Sequence, residues 1–254
     1  MPSVFGEWVR DHRGRLWVAV LEGRVVGVAK LTLGRGGEAW LHGLRVHPDH
    51  RRRGIATALL EHRLARARRL GASVARLDTS EDNAAVQRLM RHYGFRRIAR
   101  MAYYEAPARD GVRPHTAQAS DSASLWRLLR TGDGMLYESH FARGLAREDV
   151  TRAIRQRGCL AVGPAGHPAA VALVEMMPGN PRSGRGGSRL LARVIAGRPA
   201  AARDLLRALR AEARARGLTR SGIAAPERFW RPVREAGYRR RWPETMNVFE
   251  RRLT

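Results

Sequence analysis

Apolar positions recur along the chain with two different periods, and each change of period marks an element. WVAVLEG and RVVGVAKLTL, residues 17–33, are two strand-like runs that meet at Glu22-Gly23, which reads as an antiparallel hairpin. A third strand follows over residues 39–46. Beyond Pro48 the period lengthens. Ala56, Leu59, Leu60, Leu64 and Ala67 share one face of a helix over residues 55–70, with Arg63, Arg66, Arg68 and Arg69 interleaved on a face expected to be solvated. Gly71 stops that helix in the usual C-terminal position, and ASVARLDTS resumes as a strand. Val86, Leu89, Met90 and Tyr93 stand at i, i+3, i+4 and i+7, so a second, shorter helix ends before Gly94. Residues 95–105 supply one or two closing strands.

The segment APARDGVRP, residues 106–114, carries Pro and Gly and reads as a linker between two units, 1–107 and 112–254. The second unit opens with ASDSASLWRLLR, where Asp121 or Ser120 can cap a helix. It continues with the strands CLAVG and PAAVALVEMM, a Gly/Arg/Ser loop PGNPRSGRGG, the strand RLLARVI and a helix over residues 199–216 that ends at Gly217. The two halves repeat one another in order. Gly217 answers Gly71, Leu205-Leu206 answers Leu59-Leu60, and Gly237-Tyr238 answers Gly94-Phe95. The expectation is a tandem duplication of an α/β unit with a mixed sheet.

Composition narrows the class. The chain has 254 residues, enough for two ordinary domains, and 44% of them are hydrophobic, enough for a real core. No apolar run reaches the roughly 18 residues of a membrane helix, and MPSVFGEWVRDHRGR lacks the apolar stretch of a signal peptide, so a cytoplasmic location is expected, with no membrane partner. Cys159 is the single cysteine, which excludes an intrachain disulfide and a thiolate metal cluster. A net charge of +25 ordinarily suggests nucleic acid. Here the charges are scattered, and Lys30 is the only lysine among 48 basic residues, an Arg excess that reads as codon bias. Nonspecific adhesion to polyanions is expected, and no specific nucleic-acid partner.

Residues 44–60, LRVHPDHRRRGIATALL, join a strand to a helix through a turn rich in Arg and Gly. Backbone N–H groups from Arg52 to Thr57 would point outward at the positive end of the helix, where Gly54 and Ala56 allow close approach. A pyrophosphate is the natural guest, with Arg51, Arg52 and Arg53 adding charge. A solvated basic turn is the bland alternative.

This stretch resembles motif A of the GCN5-related N-acetyltransferases, R/Q-x-x-G-x-G/A, as Arg51-x-x-Gly54-x-Ala56 after the V-x-P of Val46 to Pro48. EDNAAVQRLMRHYGF, residues 81–95, is similar to the family's motif B. The resemblance covers residues 16–105. It implies two tandem acyl-CoA N-acyltransferase units and acetyl-CoA as cosubstrate. The backbone of Leu44, Arg45 and Val46 would lie along the pantetheine, Arg51, Arg52, Arg53, Gly54, Ile55, Ala56 and Thr57 around the pyrophosphate, and Asn83 near the pantetheine arm. Asn83 can equally serve as a helix N-cap.

In such an enzyme an amine attacks the thioester directly, at a splayed strand end whose N–H groups stabilise the developing oxyanion. An alkylamine with a pKa of about 10.4 arrives protonated and must lose that proton. His42 is the first candidate acceptor, on the strand where the family often places a carboxylate, and Glu38 is the second, four residues away on the same strand face. A plain strand histidine at the cleft rim is the alternative. Where the family commonly has a tyrosine that protonates the leaving thiolate, this chain has Met90. Tyr93 lies three residues on and shares that helix face only approximately, as a candidate acid or as core, and Tyr103 or Tyr104 could substitute.

The family usually begins with a strand and two helices, for which this chain supplies only FGEWVRDHRG. Either the start lies further upstream, or the second unit or another subunit, as in a homodimer, covers that gap. The second unit resembles a worn copy. Counting back from Gly217 sets Gly197 against Arg51 and Ala200 against Gly54, with Pro199 removing one N–H, and Pro226 falls near Asn83. His42, His47 and His50 face different ways, and no metal site is expected. The leading expectation is a tandem acetyl-CoA-dependent N-acetyltransferase whose first unit is catalytic and whose amine substrate is a small molecule or a peptide. A mycothiol-synthase-like tandem acetyltransferase and an inactive CoA-binding scaffold are the alternatives.

Overall fold

The computed structural model describes residues 6, 8–11, 14–34, 36–132, 134–137, 142–179 and 187–253. Most of the Gly/Arg/Ser loop read from the sequence, residues 180–186, lies outside them. Contacts divide the chain into two units, Met1–Ile98 with Met246–Thr254, and Ala99–Thr245.

In the first unit β1 (Gly14–Leu21) and β2 (Arg24–Leu33) form the expected hairpin, with the turn residues Glu22 and Gly23 at φ 50° and 73°. Positive φ at both positions is the tight-turn geometry whose twist matches that of the strands. β3 (Glu38–Val46) pairs antiparallel with β2, helix α1 (Ile55–Arg69) crosses over, and β4 (Val74–Ser80) returns parallel to β3. Helix α2 (Ala84–His92) follows. The sheet is then completed from the far end of the chain, because Met246–Arg252 runs antiparallel along the whole of β4. Leu60 and Leu64 of α1 pack on Leu31, Leu41, Ala75 and Leu77 of the sheet, together with Met90, Phe95 and Phe249. Each such side chain contributes roughly 1.5–3 kcal/mol by leaving water.

One helix residue departs from the sequence reading. Arg63 is not solvated but 2% exposed. Its Nη1 donates to the carbonyls of Lys30 (3.3 Å) and His42 (3.1 Å), and its Nε to that of Leu59. The cause is a bulge. β2 pairs Lys30 with His42 and then Val28 with Arg45, so Gly43 and Leu44 face a single residue of β2. A bulge interrupts the ladder, and Arg63 supplies donors to the two carbonyls of the Lys30–His42 pair that borders it. Burial of the guanidinium lowers its pKa to about 10, so it stays charged at neutral pH.

The second unit takes β5 (Arg96–Pro107) from Ala99 onward, so this strand runs through the start of the segment expected to separate the units. β6 (His115–Thr116), α3 (Ser122–Arg130), the hairpin β7 (Met135–Tyr137) and β8 (Ala142–Gly144), and α4 (Arg147–Arg155) precede β9 (Cys159–Val162) and β10 (Ala170–Met177). Then come β11 (Arg189–Gly197), α5 (Pro199–Ala215), β12 (Arg220–Pro226), α6 (Trp230–Glu235) and β13 (Arg239–Arg240). The chain ends in β14, the Met246–Arg252 strand of the first unit. Strand order in the second unit is β5-β12-β11-β10-β9-β6, with β13 also on β5. β10, β11, α5 and β12 repeat the antiparallel and parallel pairings of β2, β3, α1 and β4, which makes the duplication a matter of topology as well as sequence. Cys159 is fully buried in its strand, with its thiol pushed up to about 12.

Candidate active site

The β3–β4 ladder is short. It joins Glu38 to Val74, Ala39 to Ala75 and Trp40 to Arg76, and ends there although β3 continues to Val46 and β4 to Ser80. The two parallel strands therefore part at their C-terminal ends. Gly43, in the bulge, is at φ 54°, and a Cβ on it would run into the ring of Trp8. Glycine is required there on both counts, conformation and close approach.

The turn beyond β3 runs through a short 3-10 helix at Pro48–His50 to the start of α1. Gly54 is the N-cap of α1, left-handed at φ 76°, and Arg52 is left-handed too, at φ 61°. No side chain caps this helix and its first turn holds no acid. The first bond of the helix ladder is Ala58 N–H to the Gly54 carbonyl, which leaves the N–H groups of Ile55, Ala56 and Thr57 as first-turn donors. Arg51, Arg52 and Arg53 are exposed around them. Positive dipole, unsatisfied donors and left-handed residues make this an anion site in the physical sense. The sequence reading placed Gly54 there for close approach. No neighbouring side chain crowds it, and its left-handed backbone is a second reason for glycine there.

Leu41 packs into the core on the helix side of the sheet, and alternation puts His42 on the opposite face. His42 is 7% exposed, between Trp8 and Trp40 with ring centroids at 6.0 and 6.2 Å. Its cross-strand neighbour Lys30 is buried, paired with Asp11 at 2.7 Å and donating to the Trp8 carbonyl at 3.0 Å. Glu38 shares the face of His42 but sits where the ladder is intact, and its carboxylate is 2.6 Å from Arg76, which also binds Glu250 at 2.7 Å. Asn83 is found in the N-cap role, its Oδ1 accepting from the Val86 N–H at 3.2 Å. Tyr93 closes α2 and donates its hydroxyl to Glu61 of α1, a bond that raises its pKa. That places it on the helix side of the sheet, so the structure does not bring it together with His42. Tyr103 and Tyr104 both belong to the second unit, and Tyr104 lies in that unit's core.

Asp78 was not singled out in the sequence. It lies on β4 two residues beyond Arg76, on the face of Trp40 and His42, in the section that has parted from β3. Burial pushes its carboxyl up from 3.8 to about 6, against the pull of its own backbone N–H and of Arg45. The signal was present as an acidic residue inside the strand run ARLDTS, but its partners are set by the sheet.

The second unit has no counterpart of the turn. Residues 47–54 separate β3 from α1, whereas Arg198 alone separates β11 from α5. Two of the sequence correspondences shift accordingly. Helix α5 is two residues longer than α1, so Ala200 falls within its first turn and the position of Gly54 is taken by Arg198, an extended N-cap. Gly197 is packed against Ala169 and Ala170 instead of lining a cradle. Among the described residues no group of three or more His, Cys, Asp or Glu could hold a metal ion, and no helix is long and apolar enough to cross a membrane.

A mixed sheet opening beside an uncapped, cation-flanked helix start defines an acyltransferase fold of the acyl-CoA type, and comparison with known proteins agrees. A 16% identical GCN5-related N-acetyltransferase from Sphaerobacter thermophilus matches over 99% of this chain and 85% of its own, with a TM-score of 0.59. A tandem GNAT protein from the clavulanic acid biosynthesis pathway matches at 18% identity over 96% and 84%, with a TM-score of 0.53. These likenesses show the fold. No curated protein matches the sequence. Residues 1–95, within the first unit, match the model of the acetyltransferase (GNAT) family, and the likeness of fold extends over both units.

Proposed function

We propose that the chain is an acetyl-CoA-dependent N-acetyltransferase whose first unit passes the acetyl group to a primary amine by direct attack. The observation that carries this reading is the opening between β3 and β4 beside the uncapped start of α1. Acetyl-CoA would supply an activated acetyl thioester. The residues present fit it: the first-turn N–H groups of Ile55, Ala56 and Thr57, with Arg51, Arg52 and Arg53, would hold the diphosphate. The Leu44–Val46 backbone would run along the pantetheine arm. Beyond Trp40 the edge of β3 no longer pairs with β4, and N–H groups on that edge would stabilise charge on the thioester oxygen. His42, lining that section, is the first candidate to take the proton of the attacking nitrogen. Glu38 is second, and its ion pair with Arg76 makes it the weaker one.

Replacing a group that acts in the transition state lowers turnover without weakening cosubstrate binding. His42→Ala should therefore cut turnover at saturating amine by roughly 10²-fold, the lower end for general-base help, with acetyl-CoA affinity within about twofold of the parent. Steady-state thiol release measures the first and calorimetry the second. Unchanged turnover would move the base elsewhere, with Glu38→Gln the next test. One observation favours a second reading, a CoA-binding protein without transferase activity: Met90 is core where the family has its acid, and Tyr93 is committed to Glu61. Binding of acetyl-CoA with no thiol release across an amine panel would establish that reading.

A further inference from the structure

The face of the first unit's sheet that carries His42 holds several charges, and all but one of the acids have partners. Asp11 is paired with Lys30, and Glu38 and Glu250 share Arg76. Asp78 is the exception. It is half-buried, and among the described residues no cation lies within ion-pair distance of it; Arg45, on β3, acts on it only from further away. In a chain with 48 basic and 23 acidic residues, a carboxylate left without an arginine in a sheltered position is unexpected on charge statistics alone. A partly desolvated carboxylate is costly until a cation joins it. Its position is equally specific: beyond the last β3–β4 pair, on the face of His42 and Trp40, opposite Val248 of β14.

We propose that Asp78 is the anionic subsite for the acceptor's ammonium group, so that the enzyme selects alkylamines, which reach it as cations, over amines that are neutral at the same pH. This rests on the acetyltransferase reading above and goes beyond it by assigning the substrate's charge and the residue that recognises it. Asp78 holds the cation, and His42 on the facing strand takes the proton. The groups facing Asp78 are His42 and Arg45 of β3, Lys30 of β2 with its partner Asp11, and Arg76 of β4 with Glu38 and Glu250. The acids among them are already paired, so two groups titrate in the subsite near neutral pH, Asp78 and the base His42. With its carboxyl at about 6, the subsite is charged at pH 7.5 and discharged by pH 5. kcat/KM for an alkylamine should fall by more than about tenfold per pH unit below that value, because the base His42 is protonated over the same range.

The same titration makes a statement about stability that needs no substrate. A folded-state carboxyl raised from 3.8 to about 6 favours folding below about 3.8 and loses that contribution as pH rises through about 6. At pH 7.5 the ionised side chain is therefore a burden on the free fold. Asp78→Asn in the full chain should raise the thermal midpoint at pH 7.5 by a few degrees, with the gap closing towards pH 4.

The kinetic test uses acetyl-CoA with tyramine and spermidine as alkylammonium probes and aniline as a neutral one. For Asp78→Asn the proposal expects KM for the alkylamines at least tenfold higher, kcat within about threefold, and aniline turnover unchanged. The acid limb of the variant's kcat/KM profile should become shallower, losing the step that Asp78 contributes and keeping the one that protonation of His42 contributes. A lower midpoint at pH 7.5 would show a structural role and overturn the proposal, as would an unchanged KM or an acid limb as steep as the parent's in an active variant. Absence of transfer by the parent chain would instead overturn the acetyltransferase reading on which the proposal stands.

Discussion

Residues 1–107 expressed alone should fail to fold and should not bind acetyl-CoA, although they contain the whole of the motif-bearing turn. The reason is β14. Met246–Arg252 pairs with every residue of β4, Leu253 N–H closes on the Ser73 carbonyl, and Glu250 binds Arg76. Without the segment, β4 becomes an open edge, Leu77 loses cover, and Phe249 and Leu253 leave the core formed with Leu60, Met90 and Phe95. Truncating a buried phenylalanine alone costs roughly 3–5 kcal/mol, against a typical total of 5–15 for a domain. In the full chain, Phe249→Ala should already lower the melting temperature of the first unit, and deletion of residues 246–254 should abolish its cooperative unfolding. Amide dispersion in a proton–nitrogen correlation spectrum reports the outcome. A folded, acetyl-CoA-binding 1–107 fragment would show that β14 is dispensable and that the unit is contiguous in sequence.

Gly54→Asp should cost at least tenfold in acetyl-CoA affinity, about 1.4 kcal/mol. The carboxylate would stand at the N-cap of α1, among the first-turn N–H groups and Arg51 to Arg53, competing for the donors a diphosphate needs. Because Gly54 is left-handed, any side chain there also carries a backbone penalty of roughly 1 kcal/mol, smallest for Asn and Asp. Gly54→Asn is therefore the control for strain, since it keeps the shape and lacks the charge, and it should bind better than the aspartate variant. In the second unit Arg198→Asp puts the same charge at the matching N-cap of α5, whose extended backbone accepts it without strain, and should leave affinity untouched. Equal affinity for the parent and Gly54→Asp would remove the anion-site account of the turn.

What the sequence made legible was local. The hairpin, the strand–turn–helix of residues 39–70, the Gly71 stop and the repeat in the second unit each follow from residue types within a few positions of one another. β14 was not legible because its partner is some 170 residues away, as with Arg76 and Glu250. No periodicity in MNVFERR names β4. Asp78 was missed for a related reason, since its burial comes from the neighbouring strands and not from its own. Arg63 is different. It stands four residues from both Leu59 and Ala67, inside the apolar stripe, so its inward direction could have been read; what could not be read was the bulge at Gly43 that gives it work. The correspondence of Ala200 with Gly54 failed because counting from the shared glycine assumes helices of equal length, and α5 is the longer.

Titration calorimetry of acetyl-CoA into the full chain tests the central claim most directly, that one of two similar units keeps the cosubstrate site. The first unit has an eight-residue turn, residues 47–54, with a left-handed N-cap, and the second passes from β11 to α5 through Arg198 alone. The account predicts a single site per chain, with amide-exchange protection on binding confined to residues 44–57 and their neighbours on β4. Two sites per chain, protection over residues 189–203, or no heat of binding at all would contradict it.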